Sequence, residues 1–100
     1  MKLNIRTKGI EINVDTEKLL HHKFSVLEKL YNRIAGYDVL VSKVDTDGEK
    51  KFELEGRVLI PKSSFFCRER AESIEKAIDR VIENLARQLK WKNEDRMEIW

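Results

Sequence analysis

Between Ser73 and Lys92, apolar residues recur at steps of three and four. At about 100° per residue, Ile74, Ala77, Ile78, Val81, Ile82, Leu85 and Leu89 fall in one sector, the pattern of an amphipathic helix. Lys76, Arg80, Arg87 and Lys90 fall in the opposite sector. Ser73, just before the first apolar position, is suited to N-cap this helix, because its hydroxyl can accept from an orphan backbone N–H. Acids (Glu75, Asp79, Glu83) crowd the first turns and bases (Arg87, Lys90, Lys92) the last, the order that a helix dipole favours. No acid occurs between Glu83 and Glu94, so the C-terminal turn and a half carries net positive charge.

A second helical pattern runs from Thr16 to about Ala35. Leu20, Phe24, Leu27, Tyr31 and Ile34 keep one face, while Lys18, His22, Lys29 and Arg33 keep the other. Each large apolar side chain, if fully buried, contributes about 1.5–3 kcal/mol, enough together to fix the helix to a sheet. Asp15 reads as its N-cap, with Glu17 in the first turn. Gly36 reads as a C′ stop, where positive φ costs least.

The remaining segments alternate with period two. Lys2 to Lys8 reads as a strand punctuated by Gly9, and Ile10 to Val14 as an extended lead-in. Tyr37 to Val44 is β-branched and reads as a second strand. Asp47-Gly48 is a strong signal for a tight hairpin. Lys51 to Ile60 places Phe52, Leu54, Gly56, Val58 and Ile60 on one side and Glu53, Glu55, Arg57 and Leu59 on the other. Pro61 cannot donate to a ladder and ends that strand, Lys62-Ser63-Ser64 turns the chain, and Ser64 to Arg70 is a last short strand.

The order is β-α-β-β-β-α. A strand, a helical crossover and a second strand imply a parallel pair, and the right-handed rule fixes the side of the helix. Two hairpins extend the sheet, and the last helix needs the same face for its apolar stripe. The expected fold is α+β: a four-stranded mixed sheet with two roughly parallel helices packed on one face.

Composition adds bounds. One hundred residues, 41% hydrophobic and 38% charged, suit one domain with one core and a well-solvated surface. No apolar run approaches the roughly 18 residues of a membrane span, and the opening residues lack a signal peptide's apolar region. The expectation is a cytoplasmic protein with no membrane partner. Cys67 is the single cysteine, which excludes an intramolecular disulfide and CxxC zinc chemistry. A net charge of +2 is mild, so the placement of charge matters more than the sum.

Candidate chemistry is sparse. His21 and His22 are helix neighbours about 100° apart and cannot chelate one ion as i,i+4 histidines do. Cys67 reads as a small buried hydrophobe. Glu53 and Glu55 share one side of a strand, a common solvent-face arrangement. Phosphate-loop, nucleophile-elbow and zinc-helix motifs do not occur. The expectation is a protein that is not an enzyme, with no cofactor, no metal and no small-molecule substrate. The outward Lys and Arg stripes of the two helices would instead lie side by side as a ridge for phosphates. Trp91 projects near the basic side, where it stacks on a base or caps the helix end against the sheet.

Ala77-Ile78-Asp79 … Leu85-Ala86-Arg87-Gln88-Leu89-Lys90 resembles the A-I-D … L-x-R-Q-L-x-K signature of the ribosome hibernation-promoting factors, the family that includes ribosome-associated inhibitor A. Leu3-Asn4-Ile5, Lys23-Phe24 … Leu27-Glu28-Lys29 … Arg33-Ile34 and Glu55 … Ile60-Pro61 fit the same family. The resemblance implies a fold similar to a double-stranded-RNA-binding domain with an extra first strand. It also implies a translation inhibitor that binds small-subunit ribosomal RNA in the decoding channel and blocks tRNA and mRNA under stress or in stationary phase. Carried over by position, the RNA-binding residues are Lys23, Lys29, Arg33, Arg87, Lys90 and Lys92; Lys18, Lys76 and Arg80 join them from the face geometry. Family members often carry a base where this chain has Val26, Asn84 and Trp91, which makes the patch thinner. Residues 1–92 would form one ribosome-binding domain, resembling a short form that is monomeric when free, and 93–100 a short charged tail. The alternative is a protein-interaction or regulatory module of the same fold without ribosome binding.

Overall fold

The computed structural model describes the backbone of residues 2–97 and the side chains of residues 2–92. Four strands, β1 (Leu3–Lys8), β2 (Gly36–Thr46), β3 (Glu49–Ile60) and β4 (Ser63–Ala71), form one sheet in the order β1-β2-β3-β4. β1 pairs parallel with β2, and the other pairs are antiparallel. The crossover from β1 to β2 carries helix α1 (Val14–Ser25), and helix α2 (Ile74–Met97) follows β4. This is the β-α-β-β-β-α order expected from the periodicities. The backbone of α2 continues through residues 93–97, which the sequence places in a charged tail.

The helices share one face of the sheet because every apolar stripe points there. Leu20 and Phe24 of α1 and Ile78, Val81, Leu85 and Leu89 of α2 are fully buried against Val39, Val41, Leu54 and Val58 of the central strands. Gly56 marks where the two helices close on β3. A Cβ built there would lie 2.8 Å from Val81 Cγ1 and 3.2 Å from both Leu85 Cδ1 and Phe24 Cζ. The missing side chain therefore lets both helices seat.

Three local expectations are corrected. The N-cap of α1 is Asn13 rather than Asp15: its Oδ1 accepts from the Thr16 N–H at 2.8 Å, which places Asp15 in the first turn. The helix does not reach Ala35. It ends at Ser25, whose Oγ donates to the His22 carbonyl at 2.7 Å, and the chain tightens into a 3₁₀ turn over Val26–Lys29. A side-chain donor competing for a helix carbonyl weakens the helical ladder. Leu27 and Tyr31 still reach the core, because the tighter turn keeps them on the inner side. Gly36 is not a C′ stop but the first residue of β2, where a Cβ would come within 3.1 Å of the Lys2 carbonyl oxygen.

The Asp47-Gly48 hairpin follows the expected chemistry. Both residues have positive φ (54° and 78°) and join Thr46 to Glu49, the geometry a two-residue turn needs to match strand twist. The next connection is also two residues long, Pro61-Lys62, with Ser63 already paired to Ile60.

Candidate nucleic-acid interface

On the outer side of α2, alternation of core and solvent positions leaves Lys76, Arg80, Arg87, Lys90 and Lys92 exposed. Lys18 of α1 is exposed as well. Lys29 and Arg33 are exposed but do not belong to α1: Lys29 closes the 3₁₀ turn and Arg33 lies in the connection to β2. The cations assigned to the first helix thus divide between a helix and the loop that follows it.

Two of the candidates have intramolecular partners. Lys23 Nζ lies 3.0 Å from Asp79 Oδ1 of α2. The Arg80 guanidinium donates to the Arg70 carbonyl at 2.6 Å, so it leans towards the edge strand β4. Lys76 and Arg80 line one hollow with Lys51, Arg70 and Glu72. Arg87 and Lys90 line another, of about 360 Å³, with Gln88 and Trp91. Glu83 is exposed between these two groups, so α2 carries its cations as two clusters. Arg87, Lys90 and Lys92 make no ion pair among the described residues.

Trp91 does not cap the helix end against the sheet. It is 72% exposed. Beneath it Gln88 is pinned, its Nε2 donating to the Phe66 carbonyl at 3.0 Å and to Asn84 Oδ1 at 2.7 Å. The indole is therefore spread in solvent rather than packed.

The uncovered face of the sheet holds arginines that the helical periodicity does not reveal. Arg68 and Arg70 of β4 sit directly opposite Glu55 and Glu53 of β3, with N···O distances of 2.7 and 2.9 Å. Hydrogen bonding to Glu55, then its charge, raises the pKa of Arg68 further. Arg57 donates to Ser64 Oγ at 3.0 Å and lies 5.0 Å from the centre of the Phe66 ring. Their signal in the sequence is the strand register, which brings acid opposite base only once the hairpin is closed. These arginines are held by partners within the sheet itself.

His21 and His22 are exposed, and among the described residues no group of three or more His, Cys, Asp or Glu could hold a metal ion. Cys67 is buried on β4, its thiol pushed up to about 11 by burial first and then by Glu69. A thiol held protonated is a packing group rather than a nucleophile. No described helix is long and apolar enough to cross a membrane.

The architecture is similar to that of two solved structures. A ribosomal subunit interface protein from Coxiella burnetii superposes with a TM-score of 0.81 at 16% identity, covering 94% of this chain and 99% of that one. The N-terminal domain of Thermus thermophilus Protein Y gives 0.78 at 21% identity, covering 90% and 97%. Comparison with curated proteins finds no match. Residues 3–97 match the family described as Sigma 54 modulation protein / S30EA ribosomal protein, nearly the whole of the chain, and the protein belongs to that family.

Proposed function

We propose that this protein is a hibernation-type translation inhibitor that lies on small-subunit ribosomal RNA in the decoding channel and excludes tRNA and mRNA. The coarse part of that role, ribosome association and regulation of translation without catalysis, comes with the family. The finer part is supported by one observation: the acid-free stretch of α2 from Asn84 to Asn93, where Arg87, Lys90 and Lys92 are exposed and make no ion pair among the described residues. Phosphate binding requires cations that are not already neutralised. Lys76 in the first turn of α2, with Lys18, Lys29 and Arg33 on other elements, adds further exposed cations. Lys23 and Arg80 contribute less, because each already has a partner.

The mechanism is occlusion. A rigid helix face resting on the RNA backbone needs no chemistry to deny the channel to tRNA and mRNA; it needs affinity and volume. Co-sedimentation with purified small subunits tests the assignment. Wild-type protein should pellet with the subunits at 50 mM salt and compete with tRNA for them. Arg87→Glu with Lys90→Glu should remain in the supernatant with an unchanged circular dichroism spectrum. Wild-type protein that stays in the supernatant, or a double variant that still pellets and competes, overturns it.

A further inference from the structure

Trp91 is the feature that phosphate binding does not account for. The residue is 72% exposed, the largest fraction among the large apolar residues described. On a helix, a side chain leans back over the preceding turn, which here presents Arg87 and Gln88, and Lys90 precedes it directly. These four residues line the hollow of about 360 Å³. The floor is fixed, because the Gln88 amide is held by both the Phe66 carbonyl and Asn84. The arginine–aromatic stacks among the described residues fall on the Phe66 ring, so no described arginine covers the indole.

From this arrangement we propose that Trp91 is a stacking platform for one unpaired base of single-stranded RNA, with the flanking phosphates held by Arg87 and Lys90. The proposal rests on the RNA-binding reading above and gives it a specific contact. Every base has a π-face, so stacking on an indole is sequence-tolerant, and cations beside the ring hold the backbone. The charge pattern favours this occupant: the turn over which Trp91 leans, from Asn84 to Trp91, has no acid and two cations, and Glu94 and Asp95 follow only in the next turn of the sequence. An apolar protein partner would need a contiguous patch. The other exposed large apolar residues among those described, Val14, Val26 and Phe66, belong to different elements, and the Phe66 ring lies under Arg57 on the far face of the sheet.

The test uses full-length protein with Trp100→Phe, which makes Trp91 the only indole, titrated with a ten-nucleotide single-stranded RNA and a blunt RNA duplex. Saturable quenching of the indole by the single strand is expected, with little change on duplex binding. In the same background, Trp91→Leu should weaken single-strand binding by roughly tenfold or more, the loss seen when a stacking aromatic is removed. It should leave duplex binding within about twofold, and Trp91→Phe should recover most of the single-strand loss. Emission unmoved by saturating RNA, or equal affinity in the leucine variant, overturns the proposal and leaves an apolar partner as the occupant. Co-sedimentation separates the two readings. If Trp91→Leu pellets with small subunits as well as wild type while the Arg87/Lys90 reversal does not, stacking fails and ribosome binding stands. If wild type does not pellet but the single strand still quenches, ribosome binding fails and stacking stands.

Discussion

The ammonium of Lys23 on α1 and the carboxylate of Asp79 on α2 stand 3.0 Å apart, an ion pair that ties the two helices across the outer surface. Exposed pairs of this kind stabilise little, typically up to about 1 kcal/mol. The larger consequence is for binding, since Asp79 occupies a cation in the middle of the basic face. Asp79→Asn should leave the urea midpoint nearly unchanged and raise affinity for small subunits by roughly two- to tenfold at 50 mM salt, as one more cation becomes available to phosphate. Lys23→Ala should change affinity by less than about twofold. Filter binding of both variants measures the difference, and a large loss in Lys23→Ala would show that the pair opens on binding.

Gly56 should be the least replaceable surface of the sheet. A Cβ 2.8 Å from Val81 Cγ1 forces α2 or its side chains to shift, while Phe24 closes the escape towards α1. Overpacking of this kind costs about 1–3 kcal/mol. For a domain of this size that corresponds to a fall in Tm of several degrees, by about 4–8 °C per kcal/mol. Gly56→Ala should show it by calorimetry, and Gly56→Val should be worse. An unchanged Tm would mean that the helices are not seated as closely as described.

Stability should fall on the alkaline side. The Cys67 thiol is neutral when protonated, and folding raises its pKa from 9.0 to about 11 by burial, then by Glu69. Below pH 9 both states keep the proton and the stabilisation is complete. Between about pH 9 and 11 the unfolded chain releases it and the native chain does not, so the native state loses ground as pH rises. Burial, then Glu28, raises Tyr37 in the same direction at still higher pH. Urea midpoints from pH 8 to 11 should decline for the wild type and more gently for Cys67→Ala. Alkylation of Cys67 by iodoacetamide at pH 8 should be slow until denaturant is added.

Tyr37 offers a substitution that should not destabilise. Its ring packs edge-on against Phe24, with centroids 5.4 Å apart, and its buried hydroxyl has no hydrogen-bond partner among the described residues. A buried, unsatisfied polar group costs about 1–3 kcal/mol. Tyr37→Phe keeps the ring contact and removes the hydroxyl, so its urea midpoint should equal or exceed that of the wild type. A clear drop would reveal a bond to this hydroxyl in solution.

The element order and the sheet were legible because each depended on a local signal that tertiary contacts did not override. Asp47-Gly48 marked its turn by backbone preference alone, and Leu54, Val58, Val81 and Leu85 marked the core by period. The end of α1 was not legible. Leu27 and Tyr31 continue the helical spacing through the 3₁₀ turn, and nothing in the composition separates a glycine that stops a helix from one, like Gly36, that lets a strand pass close to Lys2. The basic face was legible as a set of exposed residues, but their partners were not. Asp79 meets Lys23, and Arg80 meets the Arg70 carbonyl, through contacts between elements that a one-dimensional pattern does not contain. Trp91 was ambiguous for the same reason, since its exposure depends on where the helix runs past the sheet.

β4 is an outer strand, and outer strands offer main-chain groups to which a foreign strand can add. Here the carbonyls of Phe66 and Arg70 are occupied by Gln88 and Arg80 of the protein's own helix. Two acceptors of that border are thereby withdrawn from any strand that would add there. The Arg80 side chain therefore shields part of this edge as well as carrying charge. Replacing Arg80 would uncover the Arg70 carbonyl, and an oligomer that followed would be a product of the bared edge, not of the lost charge.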